Sequence, residues 1–326
     1  MAQATTKTFS LIVGRPVYIG EKPTNIARHI DAQTKTDAYV ITQPLNIDFE
    51  IKKDNSKEPN KGYVTVYNLS DETVSYLDST QRESVAMMLY AGHNGDEKLI
   101  FSGTIEFVQD KWEGPTRQTK LIMGDAVLNL TSSKSARSYR KGTPLDTVLG
   151  DLVSDLKLPM GRSVPFGKDA TLQHAMAFSG NTSQNLANLA RNTGSNFSVQ
   201  DGAVYWTKEG SRFKQVMFEI SEETGMRGSP TPQNPEPARR RLAKRAGKKA
   251  PKKPHVKTSA EIKEDAGLVV ELVLNGAILP ESTIYLKSMK YTGFYKVVYV
   301  KHTGKYEGGD FITELGLTET RGQLLD

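Results

Sequence analysis

The segment that most constrains the fold of this chain is residues 62–108, which reads GYVTVYNLSDETVSYLDSTQRESVAMMLYAGHNGDEKLIFSGTIEFV. Side chains alternate over residues 63–68 in a way that predicts a strand. Ser70 stands at the expected N-cap of a helix whose first turn is acidic. Alternation resumes at 85–90 and, after a polar turn, at 99–107, which predicts two more strands. Together these elements predict half of a small antiparallel β-barrel.

Further strands are predicted on both sides of this segment. Residues 38–52 carry apolar side chains at every second position over much of their length and predict one long strand. Shorter strands are predicted at 9–13, 119–124, 268–274, 284–286, 293–302 and 311–318. Aromatic residues crowd the C-terminal strands at odd and even positions, so some must face outward, where they commonly mark a subunit interface. These residues are Tyr285, Tyr291, Phe294, Tyr295, Tyr299 and Tyr306.

The middle of the chain has a different period. Residues 145–156 repeat apolar side chains every three or four positions, with Thr143 as the expected N-cap, which predicts an amphipathic helix. A second helix is predicted from Ser183 to a stop at Gly194, followed by a hairpin around residues 201–202. A small α/β unit is therefore expected here.

The chain has 326 residues and no cysteine, which excludes disulfides, zinc–thiolate sites and thiol nucleophiles. Its length predicts two to four domains. The sequence lacks the ~18 consecutive apolar residues of a membrane helix, and its first residues do not have the pattern of a signal peptide. We therefore expect no membrane insertion and assembly in a reducing cytoplasm.

The positive charge is concentrated in one segment. Of 43 basic residues, ten lie in 238–257, which holds no acid, so the rest of the chain has 33 basic against 37 acidic residues. This segment lies within 222–263, a stretch rich in Pro, Gly, Lys and Arg that we expect to be a loop or disordered. Its basic residues could bind phosphates or an acidic partner surface, or belong to a solvated linker. The candidate contact residues are Arg239, Arg240, Arg241, Lys244, Arg245, Lys248, Lys249, Lys252, Lys253 and Lys257.

The sequence lacks the usual signatures of catalysis. Its five histidines are scattered without metal-ligand spacing, and neither a GxxxxGK[ST] loop nor a GxSxG elbow occurs. Acid pairs such as Glu106 with Asp110, or Glu271 with Glu281, could serve a glycosidase. A β-rich chain with 37 acids offers such pairs on solvated strand faces in any case. We therefore expect no enzyme activity, no cofactor and no metal site.

The order of TVYNLSDET, a strand ending in YAG, LIFSGTIEFV and a further strand before Asp125 resembles the baseplate hub proteins of bacteriophages with contractile tails. The likeness covers about residues 40–220, and that family has a small α/β domain in the same place. The resemblance implies an α+β, mainly β fold of two tail-tube-like antiparallel β-barrels, with the α/β domain between them and a basic inserted loop. The implied domains are 1–135 for the N-terminal arm and first barrel, 136–210 for the α/β domain, and 211–326 for the second barrel, interrupted at 222–263.

The resemblance also implies a function. Two barrels per subunit make a pseudo-sixfold ring when three subunits assemble, so the chain is expected to be a structural hub that adapts a sixfold tail tube to a threefold central spike. Its expected partners are itself, as a trimer, the tail tube protein and the central spike protein, with other baseplate proteins or the tape measure protein as further candidates. The expected location is the tail baseplate of the virion, after assembly in the host cytoplasm. Two alternatives stay open: a peptidoglycan-degrading tail enzyme, and a nucleic-acid-binding protein acting through residues 238–257.

Overall fold

The computed structural model describes residues 6–14, 27–31, 36–80, 86–164, 166–167, 169–208, 212–213, 217–233, 266–319 and 324–325. Within these residues the protein is mainly β, with four α-helices and one large sheet. That sheet is antiparallel apart from a single parallel pair of strands. The mainly β, α+β class expected from the sequence is therefore confirmed.

Eight strands and one helix form the first β region. Their bounds are β1 (Lys7–Gly14), β2 (Ala27–Asp31), β3 (Thr36–Thr42), β4 (Ile47–Asp54), β5 (Lys61–Tyr67), α1 (Asp71–Thr80), β6 (Ala86–His93), β7 (Asp96–Glu113) and β8 (Thr116–Gly124). Their inward side chains, among them Phe9, Ile51, Leu77 and Phe101, form one buried apolar core. Burial of this surface provides the main driving force for folding the region.

The segment at 62–108 folds as predicted. The Ser70 hydroxyl accepts a hydrogen bond from the backbone N–H of Thr73 at 3.2 Å and so caps α1. The strand β7 is longer than predicted, because it continues to Glu113. Its first half pairs with β6 and its second half with β8, and Thr104 pairs on both sides.

The prediction of one long strand at 38–52 is wrong. The chain forms β3 and β4, separated by a turn at 43–46 in which the N–H of Leu45 donates to the carbonyl of Thr42. Pro44 lies in this turn and has no N–H to donate to a sheet ladder. The apolar alternation continues across the turn, so periodicity did not locate the break.

The α/β module, residues 126–208, contains three helices and five strands. Their bounds are α2 (Val127–Ser132), β9 (Lys134–Tyr139), α3 (Leu145–Leu156), β10 (Met160–Ser163), β11 (Met176–Asn181), α4 (Thr182–Thr193), β12 (Ser195–Gln200) and β13 (Ala203–Lys208). The strands form two small sheets, β10–β13–β12 and β9–β11. A buried cluster that includes Leu152, Leu186 and Trp206 is the core of the module.

Both predicted helices of the module are present, but their starts differ from the prediction. Thr143 is not the N-cap of α3, because the cap is Pro144, which provides no side-chain hydrogen bond. The helix α4 begins one residue before Ser183, and the side chain of Asn181 caps it. Its stop at Gly194, in the left-handed conformation, is as predicted.

Eight strands follow the module. Their bounds are β14 (Arg212–Phe213), β15 (Met217–Ile220), β16 (Met226–Pro232), β17 (Leu268–Val273), β18 (Thr283–Lys287), β19 (Thr292–Lys305), β20 (Phe311–Glu319) and β21 (Leu324–Leu325). The expectation that all of 222–263 is a loop is wrong at its start, because β16 pairs with β17. Single-sequence composition missed this strand, since Gly228 and two prolines within it lower its strand propensity. The ten basic residues of 238–257 lie outside the described residues.

The large sheet has 14 strands and joins the first β region to the C-terminal strands. Its order is β16, β17, β20, β19, β4, β5, β8, β7, β6, β1, β3, β2, with β18 also paired to β19 and β15 to β18. The two regions meet where Asp48–Asp54 of β4 pairs with Tyr299–Lys305 of β19. Among the described residues the end strands β16 and β2 are not paired with each other. A closed barrel is therefore not seen, and the pair of tube-like barrels stays a prediction.

Candidate functional site

Two features of the structure stand out as candidates for function: an exposed hairpin and a buried polar joint. The hairpin consists of residues 105–113 of β7, beyond the last residue of β7 that pairs with β6, together with β8. It presents two large apolar side chains to solvent, Phe107 at 50% exposure and Trp112 at 65%. Exposed aromatic side chains on a well-ordered element are typical of binding surfaces.

The hairpin is held in place by the guanidinium group of Arg117. This group donates to both carboxylate oxygens of Asp110, at 2.9–3.1 Å, and to Asp71 at the start of α1 at 2.5 Å. The hydrogen bonds from Arg117 lower the pKa of Asp110, so this carboxyl stays charged. The Arg117 group also lies 5.7 Å from the centre of the Trp112 ring. The Trp112 side chain is thus exposed to solvent but held in one position.

The buried polar joint lies where the module meets the first β region. The turn between β12 and β13, Asp201 and Gly202, has positive φ at both positions, as a tight hairpin turn requires. Both oxygens of the Asp201 carboxylate accept hydrogen bonds from Lys53 Nζ at 2.7 Å. Lys53 ends the inward row of β4 and its side chain is 0% exposed. One Asp201 oxygen also accepts from the backbone N–H of Ser102 at 3.0 Å.

Asp125 holds the other side of the same turn. Its Oδ1 accepts from the backbone N–H of Gly202 at 2.8 Å, and its own N–H donates to the carbonyl of Asn60 at 2.9 Å. The residue is 0% exposed, and its Oδ2 has no hydrogen-bond partner. Burial, together with the nearby carboxylate of Asp201, raises the pKa of Asp125 to about 6.

Amide side chains complete the joint. Asn60 Nδ2 donates to the carbonyl of Val199 at 2.8 Å and to Oε1 of Gln200 at 2.9 Å. Gln200 Nε2 donates to the carbonyl of Asp54 at 2.7 Å, and Asn196 Nδ2 to that of Asn55 at 2.6 Å. The buried apolar clusters of the module and of the first β region share no residue in the described part of the chain. The contact between these two parts is therefore mainly polar.

The C-terminal region contributes two more buried polar groups close to this joint, His302 on β19 and Glu281 in the turn before β18. His302 is fully buried, and its Nδ1 lies 2.9 Å from the Thr313 hydroxyl. Its burial, and to a smaller extent the charge of Lys53, lowers the pKa of the imidazole to about 3. Glu281 is buried and interacts with Lys296 and with the side chain of Asn55. The His302 imidazole is therefore neutral, and the Glu281 carboxylate has a cationic partner in Lys296.

The acid pairs considered for glycosidase chemistry are engaged separately. Asp110 binds Arg117, whereas Glu106 is exposed beside Gly124. Glu281 binds Lys296, whereas Glu271 is exposed on β17. A polar cavity of about 360 Å³ near the hairpin does contain two acids, Asp48 and Glu307. Its other lining residues are Asn46, Tyr67, Asn68, Thr116 and Lys305.

Tyr67 donates to Asp48 in this cavity at 2.9 Å. Burial and then the Asp48 carboxylate raise the pKa of the Tyr67 phenol to about 12. This phenol is consequently neutral and serves as a donor to Asp48. The arrangement orders the carboxylate and does not activate a nucleophile.

The described residues contain neither a metal-binding cluster nor a membrane-spanning helix. No group of three or more His, Asp or Glu side chains there is placed to hold a metal ion. No helix in the same residues is long and apolar enough to cross a membrane.

The predicted outward aromatic residues divide into two sets. Phe294 is 46% exposed and packs against Tyr285 with the two rings tilted and their centres 5.0 Å apart, so this pair does lie on the outer face. Tyr295 and Tyr299 are buried, and Tyr306 packs against the first core.

The expectations from the sequence did not include the polar joint. Lys53, Asp125 and Asp201 lie far apart in the chain and have no shared spacing. One partial signal was available, because Lys53 stands in the inward register of β4 after Ile47, Phe49 and Ile51. A charged residue in a buried register indicates a buried partner.

Comparison with models of known families finds no match, and neither does comparison with curated proteins. Solved structures do match. The 43 kDa tail protein of prophage MuSo2 from Shewanella oneidensis aligns with a TM-score of 0.59 at 7% identity, covering 97% of each chain. A tail protein from Neisseria meningitidis MC58 aligns with a TM-score of 0.51 at 10% identity, covering 84% of this chain and 96% of its own.

A third match is the c3393 protein of E. coli, a component of the type VI secretion system described as structurally similar to the T4 bacteriophage tail proteins gp27 and gp5. Its TM-score is 0.51 at 9% identity, covering 87% of this chain and 77% of its own. At such identities the likeness concerns the fold. It confirms, at that level, the resemblance to phage tail and baseplate proteins seen in the sequence.

Proposed function

We propose that this chain, whose fold is that of phage tail proteins, is a structural baseplate hub subunit that adapts a sixfold tail tube to a threefold central spike. The observation that carries the proposal is the alignment with a phage tail protein over 97% of both chains. The resemblance of 62–108 to baseplate hub sequences supports the hub role in particular. In this proposal the protein acts mechanically, as a homotrimer in the virion, and catalyses no reaction.

The proposal includes three domains, at 1–135, 136–210 and 211–326. The first and third would each supply one tube-like barrel, so a trimer would present six similar units to the tube. Three main buried clusters support a division into three parts, although Leu274 and Phe311 belong to the first cluster and Ala126 and Leu130 to that of the module. Tube and spike proteins are the proposed neighbours, on opposite faces of the ring.

The hairpin that carries Phe107 and Trp112 is the proposed contact between subunits. Trp is enriched among residues that dominate interface energetics, particularly where it is held rigidly before binding. Arg117 provides that rigidity through its bonds to Asp110 and Asp71. The basic residues of 238–257 are proposed to contact an acidic partner surface or a polyanion.

The experiment is to measure the mass of the purified protein in solution by light scattering. A trimer at three times the chain mass of 36.0 kDa is expected. Trp112→Ser should weaken the trimer by ~30-fold or more, since truncating a central interface tryptophan typically costs at least ~2 kcal/mol. Met289→Ser, at a side chain with 98% exposure, is the matched control and should leave the mass unchanged.

A monomer at every concentration would contradict an autonomous trimeric hub. The two alternatives have tests of their own. A zymogram on peptidoglycan would detect a cell-wall-degrading enzyme. A salt-sensitive shift of DNA that disappears when residues 238–257 are deleted would identify a nucleic-acid-binding protein.

A further inference from the structure

The way the module is attached differs from ordinary domain packing. Each part has its own apolar core, and the described contacts between them are hydrogen bonds and one ion pair, centred on the turn at Asp201 and Gly202. Polar contacts between domains are characteristic of interfaces that permit relative motion. Apolar burial, which would resist separation, is concentrated inside each part.

The joint also has an excess of negative charge. Lys53 is the one buried cation that contacts it in the described residues, whereas Asp125 and Asp201 are both carboxylates. Lys53 neutralises one of them, and Oδ2 of Asp125 has no hydrogen-bond partner. A buried carboxylate without its own cation disfavours the closed joint when it is charged.

The other titratable groups around Asp125 do not compensate for this charge. Tyr205 on β13 and Tyr90 on β6 are kept neutral, because burial raises the pKa of both phenols. His302 on β19 is neutral because burial lowers the pKa of its imidazole to about 3. From β7, Glu106 is an exposed carboxylate beside Gly124 and adds no positive charge.

We propose that the Asp201–Gly202 turn is a releasable latch between the α/β module and the sheet, and that a proton bound to Asp125 tightens this latch. When the turn separates from the sheet, solvent hydrates the carboxylates of Asp125 and Asp201 and screens the repulsion between them. The closed joint therefore binds the proton more strongly than the open one. The inference does not depend on the proposed function.

The size of the effect follows from linkage. In the closed joint the pKa of Asp125 is about 6, and in the open joint it returns towards its ordinary value near 4. The equilibrium constant for opening should then rise as pH increases from about 4 to about 6, by a factor on the order of 100, and stay level above that.

Amide hydrogen exchange of the full chain tests this directly. The N–H groups of Gly202 and Ser102 donate to side chains across the joint, so they exchange when the latch opens. Their protection factors, corrected for intrinsic rates, should be lower than those of the β4 ladder and should fall by ~20-fold from pH 4.5 to pH 7. In Asp125→Asn the joint amides should lose this pH dependence, because Asn keeps an acceptor for Gly202 and cannot titrate.

Controls separate the latch from general effects of charge. Asp169→Asn removes an exposed carboxylate of the module and should behave as the wild type. If Asp125→Asn does not fold, Asp201→Asn serves instead. In that variant Asp125 is the one carboxylate left beside Lys53, so the pH dependence of exchange at the joint should also be flatter. The proposal is overturned if Gly202 and Ser102 exchange only as slowly as the β4 ladder. It is equally overturned if their pH dependence persists in Asp125→Asn.

Discussion

The first β region is joined to its two neighbours in opposite ways. To the C-terminal strands it is joined by a backbone ladder between β4 and β19, and Leu274 and Phe311 from that side complete its apolar core. To the module it is joined through Lys53, Asp201 and Asp125, with no shared apolar core in the described residues. A ladder with shared apolar burial favours a rigid unit, whereas a polar joint can separate at moderate cost.

This difference bears on the proposed function. A hub that carries load between a tube and a spike requires rigid connection between its two sheet-forming regions, which the β4–β19 ladder can provide. The module, in contrast, could change position while the sheet stays intact.

The largest expected effect is at the centre of the polar joint. Lys53→Met would leave the buried carboxylate of Asp125 and the partly buried one of Asp201 without a cation, and breaking a buried ion pair in this way typically costs ~3–5 kcal/mol. The free energy of unfolding, from urea denaturation, should fall accordingly.

The neighbour Lys52 is the matched control, because its side chain is 66% exposed and pairs on the surface with Glu50. Lys52→Met should change stability by less than ~0.5 kcal/mol. Equal effects of the two substitutions would contradict the buried joint.

The next effect is a pH dependence of stability. Folding raises the pKa of Asp125 to about 6, so its contribution to stability is fully present below the unfolded pKa near 4 and is lost as pH rises through about 6. The Asp125→Asn variant does not lose stability in this way, because its side chain does not titrate. Relative to the wild type the variant should therefore gain about 2 kcal/mol between pH 4 and pH 7.

The comparison with the variant isolates Asp125. His302, with its pKa lowered to about 3, makes the folded state less stable as pH falls below about 6.5, and it does so in both proteins. Urea denaturation at a series of pH values gives the difference curve. A curve that is flat between pH 4 and pH 7 would show that Asp125 titrates normally.

A smaller effect is expected at the ladder joint. Gly304 pairs with Phe49 across β19 and β4, and a Cβ at this glycine would lie 2.2 Å from the buried Phe49 ring. Gly304→Ala should therefore cost ~1–3 kcal/mol through overpacking. Gly150 in α3 is the control, because a Cβ there meets open space, and Gly150→Ala should stabilise by ~0.5–1 kcal/mol. Thermal denaturation of both variants checks the prediction, and a neutral Gly304→Ala would mean that the ladder is loosely packed.

Local signals predicted much of the fold. The cap at Ser70, the stop at Gly194 and the turn at Asp201–Gly202 each depend on the chemistry of one or two residues, and each was correctly placed. Long-range pairing was not predictable in the same way. The β4–β19 ladder joins strands about 250 residues apart in sequence, and neither strand carries a pattern that specifies its partner.

The same limit applies to the candidate sites. The polar joint assembles from β4, the end of β8 and the β12–β13 turn, so its residue types become meaningful only once the fold brings them together. The exposed hairpin was partly visible as alternation over 99–107. Its extension through Trp112 to Glu113 was missed, because the mostly polar residues from Gln109 onward give no apolar alternation.

Differential scanning calorimetry of the wild-type protein tests the central contrast most directly. If the ladder couples the two sheet-forming regions and the polar joint couples the module only weakly, two transitions should appear, one for the sheet regions together and one for residues 126–208. Lys53→Met should move the two transitions further apart. A single transition for the whole chain, with equal calorimetric and van't Hoff enthalpies, would show that the polar joint is as cooperative as the ladder and would contradict the account.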